Sequence, residues 1–302
     1  MADITVIGGI NIDIEGSPFN KLRREDSNPG RISLSYGGVG RNITENIARI
    51  GGDVAMVSVI GEDQMGRGAK EELQELGVDV SGVEILAGRN SAMYLSILNE
   101  DKDMELAISD MDIVNVITPR FLDKHRELLL GSKAVALDTN LSEETLEYAA
   151  DILEKTPLFL DPVSVTKAVK ARKIIGKFEC IKPNVMEAEA LSGLKITSEE
   201  ELRAAGGWFI QQGVKKVFIT LNKEGVYYRS PDREGFIRPK DISPVSATGA
   251  GDSFSAAILI GMVRGLDIEE IAKIGMAAAQ VTMESPGAVN KAISKAEIER
   301  RF

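Results

Sequence analysis

The stretch Lys133–Pro162 reads KAVALDTNLSEETLEYAADILEKTPLFLDP and determines the fold class that the sequence predicts. Two short apolar runs, Ala134–Leu137 and Leu158–Leu160, flank a segment with a helical pattern over 142–154. Short apolar runs bounded by turns are typical of buried strands, and the segment between them is long enough for one helix. The stretch therefore predicts a strand–helix–strand unit, from which mostly parallel sheets covered by helices on both faces are built.

The same alternation continues on both sides of this unit. The predicted elements are helix 119–130, a short helix near 166–173, strand Glu179–Ile181, helices 185–192 and 198–212, strand Val217–Leu221, and closing helices 267–283 and 294–302. Polar residues and one glycine follow the strands: Asp138, Asn140, Asp161, Lys182, Asn184, Glu187, Thr220, Asn222 and Gly225. Because ligands of such sheets bind beyond the carboxyl ends of the strands, we expect these residues to converge on one site.

A glycine-rich turn precedes a strongly apolar helical segment near the carboxyl end. Residues 246–264 read SATGAGDSFSAAILIGMVR, in which Gly249, Ala250 and Gly251 come directly before one carboxylate, Asp252. The first N–H groups of a helix lack intrahelical partners, and with the helix dipole they favour an anion. From this stretch alone, Asp252 is either an N-terminal cap or a general base beside an anion site.

A second glycine-rich turn, Gly37–Asn42 (GGVGRN), enters another predicted helix near the amino end. Upstream, a buried strand runs into a segment of alternating polarity, so Asn11 and Asp13 are predicted to share one face. That pair either binds a polyhydroxyl ligand or is an ordinary exposed strand face. Gly38 would allow a ligand close to the backbone, and Asn42 would project toward it from the first helical turn.

Four β-like segments stand apart from the strand–helix alternation, at residues 11–16, 31–36, 91–98 and 104–108. We expect them to form a small separate sheet that serves as a lid over the site. Since a sheet with open edges can pair with another copy, the sequence also favours a homodimer through this lid.

Composition excludes several classes of protein. The chain of 302 residues has a formal net charge of −10, which disfavours polymeric nucleic acid as a partner. Cys180 is the only cysteine and His125 the only histidine, so a disulfide within the chain and a Ser–His–Asp triad are excluded. A Cys180–His125 dyad remains open, and His125 is expected on the surface. No apolar run reaches the roughly 20 residues of a membrane span, and the sequence predicts a soluble cytoplasmic protein.

Two segments together resemble the sequence signatures of the ribokinase-like (PfkB) carbohydrate kinases: GGVGRNITENIARIGGDVAMVSVIG (Gly37–Gly61) and ATGAGDSFSAAI (Ala247–Ile258). The segment KPNVMEAE helps to extend the resemblance over nearly the whole chain. Three shorter stretches, NIDIEG, DSNPGRISLSYGGVGRN and DPVSVTKA, are similar to those of pseudouridine kinases within this family. The resemblance implies an α/β fold, with a mostly parallel central sheet flanked by helices and a small β-sheet lid, in a single kinase domain over residues 1–302.

The resemblance also implies a reaction, the transfer of a phosphoryl group from ATP to the ribose 5′-hydroxyl of pseudouridine. Asp252 matches the catalytic base of the family, with an ordinary carboxylate pKa of about 4. The backbone N–H groups of Gly249, Ala250 and Gly251 would form the anion hole. The residues that match substrate-binding positions, or could reach the substrate, are Asn11, Asp13, Gly38, Asn42 and Lys167. The candidates for nucleotide binding are Asn184, Thr220, Asn222, Gly225, Gly249 and Gly251.

Asn184 and Glu187 match a motif that holds Mg²⁺ through water, and their spacing suggests one helix face. The alternatives are that Glu187 is an ordinary exposed helical glutamate and that Lys167 is surface charge. Ser27, Asn28 and Asp112 are candidates for reading the base. Ala278, Thr282 and Val289 are candidates for contacting adenine.

The chain departs from the family pattern at two places. Asn222 stands where glycine is common in the nucleotide loop, which puts the loop's closeness to the phosphates in question. Ser246-Ala247 replaces an Asp-Thr pair that takes part in a monovalent cation site in ribokinases, so dependence on K⁺ is doubtful. Two other functions stay open: a different sugar or nucleoside kinase of the family, and a non-catalytic ligand-binding protein on the same fold.

Overall fold

A computed structural model describes residues 2–239 and 244–301 of the chain. Its strands are β1 (Ile4–Ile7), β2 (Asn11–Pro18), β3 (Gly30–Gly37), β4 (Val54–Gly61), β5 (Asp79–Leu86), β6 (Ala92–Leu98), β7 (Met104–Asp110), β8 (Ala134–Asp138), β9 (Leu158–Asp161), β10 (Cys180–Ile181), β11 (Lys216–Thr220), β12 (Val226–Arg229) and β13 (Glu234–Ile237). Nine of them form a central sheet in the order β13-β12-β11-β10-β9-β8-β1-β4-β5.

The central sheet is parallel from β5 to β11, as the strand–helix alternation predicts. Strands β12 and β13 extend it in the antiparallel sense at one edge. These two strands and β5 were not predicted from the sequence. Each of β12 and β13 has only four residues with no helix between them, and β5 is a half-exposed edge strand, so all three lack the signal of a buried parallel strand.

The helices are α1 (Val39–Ile50), α2 (Gln64–Glu75), α3 (Pro119–Lys124), α4 (Arg126–Leu130), α5 (Glu143–Ile152), α6 (Val165–Ala168), α7 (Val185–Ser192), α8 (Glu199–Gln212), α9 (Ala250–Val263), α10 (Ile268–Met283) and α11 (Lys295–Glu299). Short 3₁₀ segments cover Asp112–Val116, Val169–Lys177 and Asn222–Glu224. The predicted helix 119–130 is interrupted at His125, and the predicted helix near 166–173 is mostly 3₁₀. None of the described helices is both long and apolar enough to cross a membrane.

Hydrophobic cores lie on both faces of the central sheet because successive strand residues point to opposite sides. In β8, Ala134 and Ala136 belong to the core that includes α9 and α10, whereas Val135 and Leu137 belong to the core under α5 and α8. Every residue of β1, β4, β8 and β9 is buried. Helix α9 is apolar on nearly all sides because α1 and α10 cover it in addition to the sheet.

The remaining four strands form a second sheet in the order β3-β2-β6-β7. Strand β2 is antiparallel to β3 and parallel to β6, which in turn is antiparallel to β7. We call this β-sheet the small sheet. Its β2 follows β1 after three residues, and its β3 leads directly into α1, so it adjoins the carboxyl-terminal edge of the central sheet.

Candidate active site

Two cavities lie beside the carboxyl ends of the central strands. The smaller one has a volume of about 360 Å³. Its described lining residues are Gly9, Asn11, Asp13, Gly38, Val39, Asn42, Tyr94, Met111, Asp112, Val114, Asn115, Asn140, Val163 and Lys167. The larger cavity, about 1360 Å³, is lined by residues that include Thr220, Asn222, Gly225, Ala250 and Gly251.

Asp252 stands between the two cavities. Its Oδ2 accepts a hydrogen bond of 2.9 Å from Nδ2 of Asn42, which lines the smaller cavity. Its neighbour Gly251 lines the larger one. The contact joins the two glycine-rich turns across 210 positions of sequence. Asp252 therefore links a side chain of the smaller cavity to the glycine turn that lines the larger cavity.

Gly249 is the N-cap of α9 and has no side chain with which to cap it. Its φ of 77° is left-handed, and a Cβ there would lie 1.7 Å from the carbonyl oxygen of Ala288, so only glycine fits. Asp252 is the third residue of the helix. Its carboxylate accepts a hydrogen bond from Asn42 and does not cap the N–H groups of the helix. The alternative that Asp252 is the N-terminal cap is therefore wrong.

The expectation of an ordinary pKa for Asp252 is also wrong. The surrounding protein displaces water from the carboxylate, and with the negative charge of Asp161 this raises the pKa of Asp252 to about 7. The hydrogen bond from Asn42 and the charge of Lys182 act in the opposite direction. A carboxylate with a pKa near neutrality is a better proton acceptor than one near 4, while still being ionised in a large fraction of molecules at pH 7.

In the smaller cavity, Asn11 and Asp13 share one strand face as predicted. Nδ2 of Asn11 donates to Oδ1 of Asp13 at 2.6 Å. Burial raises the pKa of Asp13 despite that hydrogen bond. Gly38 has a φ of 102°, and a Cβ there would lie 2.4 Å from the carbonyl oxygen of Gly9. A ligand in this cavity thus meets paired polar side chains and bare backbone.

Lys167 lies in the wall of the smaller cavity and is more than surface charge. Its ammonium donates to Oδ1 of Asn140 at 2.6 Å, and both residues line the cavity. Val163, in the loop that leads to Lys167, has a φ of 61°. A β-branched residue in the left-handed region is strained, and such strain concentrates at functional sites.

Asn184 and Glu187 form a capping box at the start of α7. Asn184 is the N-cap, so the expectation that both lie on one helix face is wrong. Oδ1 of Asn184 accepts from the backbone N–H of Glu187, and Oε2 of Glu187 accepts from that of Asn184, each at 2.9 Å. The alternative of an exposed glutamate also fails, because Glu187 is buried and its pKa is raised by that burial.

The three predicted residues of the nucleotide loop all line the larger cavity. Asn222 has a left-handed φ of 53°, a conformation that asparagine tolerates better than most residues. The loop therefore keeps a glycine-like backbone at the position where the chain departs from the family pattern. Gly225 has a φ of 104°, and a Cβ there would lie 2.0 Å from the carbonyl oxygen of Ile237.

Several other expectations need correction. Ala278 and Thr282 are fully buried in α10, and the residues of that helix that line the larger cavity are Met276, Ala279 and Met283. The prediction was wrong because the helix period places these neighbours, and not Ala278 and Thr282, on the cavity side. Val289 is not among the described lining residues.

Of the three candidates for reading the base, only Asp112 lines the smaller cavity. The side chain of Asn28 forms hydrogen bonds with the backbone N–H and carbonyl oxygen of Arg23 and so stabilises an exposed loop. Ser27 lies in the same exposed loop.

His125 and Cys180 form no dyad. The side chain of His125 is only 13% exposed and lies 3.2 Å from Oε1 of Glu84, so the surface assignment is also wrong. Cys180 is fully buried in β10, and that burial raises the pKa of its thiol well above the ordinary value.

Two charged residues of the site, Lys182 and Arg41, had no role predicted from the sequence. Lys182 forms a buried ion pair of 3.3 Å with Asp161, whose Oδ2 also accepts a hydrogen bond from Ser255 on α9. Arg41, next to Asn42, is buried and pairs with Glu45 and Glu72. For Lys182, its place directly after a strand was the available signal. For Arg41 the spacing of four residues to Glu45 in α1 was the available signal, whereas its contact with Glu72 of α2 had none.

Comparison with known proteins agrees with this geometry. The model of the pfkB family carbohydrate kinases matches residues 1–295. The pseudouridine kinase of Escherichia coli is 34% identical over 98% of this chain and 95% of its own length. The guanosine-inosine kinase of Exiguobacterium acetylicum is 31% identical over 94% of this chain and 95% of its own. In fold, the chain is similar to the Arabidopsis thaliana ribokinase complexed with ribose and ATP, with a TM-score of 0.89, 22% identity, and coverage of 99% and 98% of the two chains. The chain belongs to the pfkB family of carbohydrate kinases, ATP-using phosphotransferases that act on a hydroxyl group of a sugar or nucleoside.

Proposed function

We propose that the protein is a pseudouridine kinase, which transfers the γ-phosphoryl group of ATP to the ribose 5′-hydroxyl of pseudouridine. The observation that carries the proposal is the hydrogen bond from Asn42, which lines the smaller cavity, to Asp252, the neighbour of Gly251 in the larger one. The nucleoside would occupy the smaller cavity and ATP the larger one, so that the 5′-hydroxyl meets the γ-phosphate beside Asp252.

In this reaction, Asp252 accepts the proton of the attacking hydroxyl, and Asn42 holds the carboxylate in place. The N–H groups of Gly249, Ala250 and Gly251 lie at the start of α9, where the helix dipole favours negative charge. They would stabilise the phosphoryl group during transfer, since positioning and charge stabilisation account for most of the catalysis of phosphoryl transfer.

The polar groups of the smaller cavity suit a nucleoside. Asn11 and Asp13 offer both donors and acceptors, as the vicinal hydroxyls of ribose require. Pseudouridine carries one more ring N–H than uridine, and a hydrogen-bond acceptor in this cavity could read it. Asp112, which lines this cavity, is the carboxylate placed to do so, while Lys167 could donate to a ring carbonyl.

The charged groups near the larger cavity suit Mg²⁺ that is held by one carboxylate together with phosphates and water. Among residues 2–239 and 244–301, no cluster of three or more His, Cys, Asp or Glu side chains could cage a metal. Mg²⁺ typically binds through one or two carboxylates, substrate phosphates and water, and Glu187 with Asn184 supplies such a carboxylate and amide. Mg²⁺ would neutralise charge on the phosphates of ATP. We do not assign a K⁺ site, because Ser246-Ala247 lacks the carboxylate of the usual pair.

We further propose that the chain is one kinase domain, that the small sheet serves as its lid, and that it mediates a homodimer. Asp13 and Tyr94 are paired in register and face the smaller cavity.

The opposite face of the small sheet is apolar and exposed, with Ile32 80% and Ile108 59% exposed. An exposed apolar patch on a small sheet with open edges favours a second copy as its cover. Sedimentation of the parent and of Ile32→Lys tests this, since a dimer held by the face should dissociate in the variant.

The alternative function is that of another sugar or nucleoside kinase. The similarity to a guanosine-inosine kinase supports this alternative. A non-catalytic binding protein fits poorly with a carboxylate of raised pKa at the junction of two cavities. The single free cysteine, which is buried, is consistent with the cytoplasmic location that we propose.

A substrate panel tests the proposed function. We would measure kcat/KM with Mg-ATP for pseudouridine, uridine, cytidine, adenosine, inosine, guanosine, ribose and fructose. We expect pseudouridine to have the highest value, and NMR of the product to show phosphate on the 5′-oxygen. 5′-Deoxypseudouridine, which lacks the acceptor hydroxyl, is the control that should remain unmodified. A higher kcat/KM for inosine or guanosine would overturn the pseudouridine assignment in favour of the alternative.

A further inference from the structure

Lys182 lies at the carboxyl end of β10 and is buried, with 6% of its surface exposed. Its ammonium is 3.5 Å from the position that a Cβ of Gly251 would occupy. Gly251 is the second residue of α9, in the turn that lines the larger cavity. Lys182 therefore places a positive charge directly beside the proposed anion hole, and the absence of a side chain at Gly251 leaves that side of the turn open.

Carboxylates surround the ammonium of Lys182. The charges of Asp161, Glu187 and Asp252 all act on it. The nearest of them, Oδ2 of Asp161, is 3.3 Å from the ammonium. Three carboxylates thus surround one buried ammonium. Two other lysines near the strand ends, Lys167 and Lys170, are partly buried and donate to Asn140 and to the backbone of Thr139 instead.

A purely structural role explains this arrangement poorly. Replacing a buried ion pair with apolar residues is often neutral or stabilising, because both charges must be taken out of water. A cation held beside an anion hole is, in contrast, what phosphoryl transfer requires, since negative charge on the transferring group must be met by fixed positive charge.

We propose that Lys182 is a further catalytic residue whose ammonium contacts the phosphoryl group in transfer. In that step the acceptor hydroxyl oxygen forms a bond to the γ-phosphorus. The bond from this phosphorus to the β,γ-bridging oxygen breaks, and its electron pair leaves with ADP, while the hydroxyl proton passes to Asp252. Lys182 remains protonated throughout and supplies charge, and Asp161 is the positioning residue that orients it. The inference rests on the proposed anion hole, but not on the identity of the acceptor.

The kinetic test compares Lys182→Met with the parent, using whichever acceptor of the panel has the highest kcat/KM. We expect kcat to fall about 100-fold or more, as when one donor to a developing charge is removed, while KM for the acceptor changes little. Lys216→Met is the matched control. Lys216 also forms a half-buried ion pair, with Glu179, but lies at the amino end of the adjacent strand β11, away from the site. Its activity should equal that of the parent.

A double variant separates catalysis from structure. Asp161→Asn/Lys182→Met removes both charges of the 3.3 Å ion pair, so neither of these two groups is left as an unpaired buried charge. Glu187 and Asp252 keep their hydrogen bonds from Asn184 and Asn42. If Lys182 serves only to neutralise Asp161, the double variant regains the activity of the parent, and the proposal is overturned. If Lys182 acts on the phosphoryl group, the double variant stays about 100-fold below the parent.

A binding measurement without turnover gives an independent readout. Calorimetry would compare AMP-PNP, which has a γ-phosphoryl group, with ADP, which has none. In Lys182→Met and in the double variant we expect affinity for AMP-PNP to fall about tenfold or more, as for loss of a charged hydrogen bond, with ADP nearly unchanged. Equal losses for both nucleotides would overturn the proposal. Because this experiment needs no acceptor and no base, it can succeed even if the pseudouridine or Asp252 assignment fails.

Discussion

Helices α7 and α9 both have a carboxylate at their third residue, and the two carboxylates do different things. Glu187 in α7 accepts from the backbone N–H of its own N-cap, Asn184. Asp252 in α9 makes no such bond and accepts instead from Asn42, far away in sequence. A carboxylate at the third residue thus caps its own helix in α7 but bonds to a residue distant in sequence in α9.

The residue at the N-cap explains the difference. Asn184 has a side chain that bonds to the third residue, so cap and carboxylate satisfy each other. Gly249 has none, and its left-handed backbone can be occupied only by glycine. The helix α9 therefore does not use its carboxylate as a cap, and that carboxylate is available to Asn42. A carboxylate near a helix start that is not used by the cap is the stronger candidate for chemistry.

The largest expected effect is that of Asp252→Asn on kcat. The amide cannot take the hydroxyl proton, and general-base catalysis contributes roughly 10²- to 10⁴-fold. We expect kcat to fall by about 10³-fold or more, while binding of the nucleoside, measured by calorimetry, is nearly unchanged. Activity within tenfold of the parent would contradict the base assignment and the distinction between the two carboxylates.

The second prediction concerns the pH dependence of kcat/KM. Because a base must be ionised and the pKa of Asp252 is raised to about 7, the rate should fall as pH drops below about 7. The fall approaches tenfold per pH unit, so at pH 5 we expect about 1% of the plateau rate. The control is Asp252→Asn, whose residual activity should lack this step. A parent profile that is flat down to pH 5 would show that the carboxylate is no different from an ordinary one.

The third prediction tests whether Glu187 does more than cap. Glutamine can also close a capping box, so Glu187→Gln keeps the cap but removes the charge proposed to face the hydrated Mg²⁺. We expect activity at low Mg²⁺ to fall about 10- to 100-fold, as is usual when a group that orients metal-bound ligands is changed. The loss should diminish as Mg²⁺ is raised.

Glu270 provides the matched control for this variant. It closes an equivalent capping box with Asp267 at the start of α10, but on the exposed surface. Glu270→Gln should have the activity of the parent at every Mg²⁺ concentration. Equal behaviour of the two variants would mean that Glu187, like Glu270, only caps its helix.

The elements that carry Glu187 and Asp252 could be predicted from the sequence, but the contacts of these two carboxylates could not. The strand–helix alternation and the polar strand ends are local patterns, and they were sufficient to predict a mostly parallel sheet. For Asp252 the local pattern left cap and base open, and the resemblance to the kinase family favoured the base. The capping box of Asn184 and Glu187 was also visible as a spacing, yet it was interpreted as one helix face. A spacing of three residues does not reveal where a helix begins.

What the sequence could not supply were contacts between distant residues. The ion pair of Lys182 with Asp161, and its proximity to Gly251, depend on the packing of α9 against the strand ends. The pKa of Asp252 depends on the same packing, because it reflects displaced water and the charge of Asp161. The two-residue β10 and the short β12 and β13 are defined by their neighbours in the sheet and not by any pattern of their own.

The smallest predicted effects are on stability, and they have opposite signs at the two helices. Asn184→Ala removes a cap and should lower the free energy of unfolding by about 1 kcal/mol at any pH. Asp252→Asn should raise it at pH 8 by about 1–2 kcal/mol. A shift from 3.8 to about 7 corresponds to about 4 kcal/mol at 1.36 kcal/mol per unit, and the remaining contact of the carboxylate with water reduces the effect.

The gain from Asp252→Asn should itself depend on pH, which distinguishes it from a packing effect. Between pH 4 and pH 7 the folded parent binds a proton at Asp252 that the unfolded chain has released, so its stability falls as pH rises through that window. The variant has no such proton, and urea unfolding should show the two proteins converging near pH 4 and diverging up to about pH 7. A stability difference that is constant from pH 4 to pH 8 would mean that the carboxylate at α9 is no more perturbed than an ordinary helix cap.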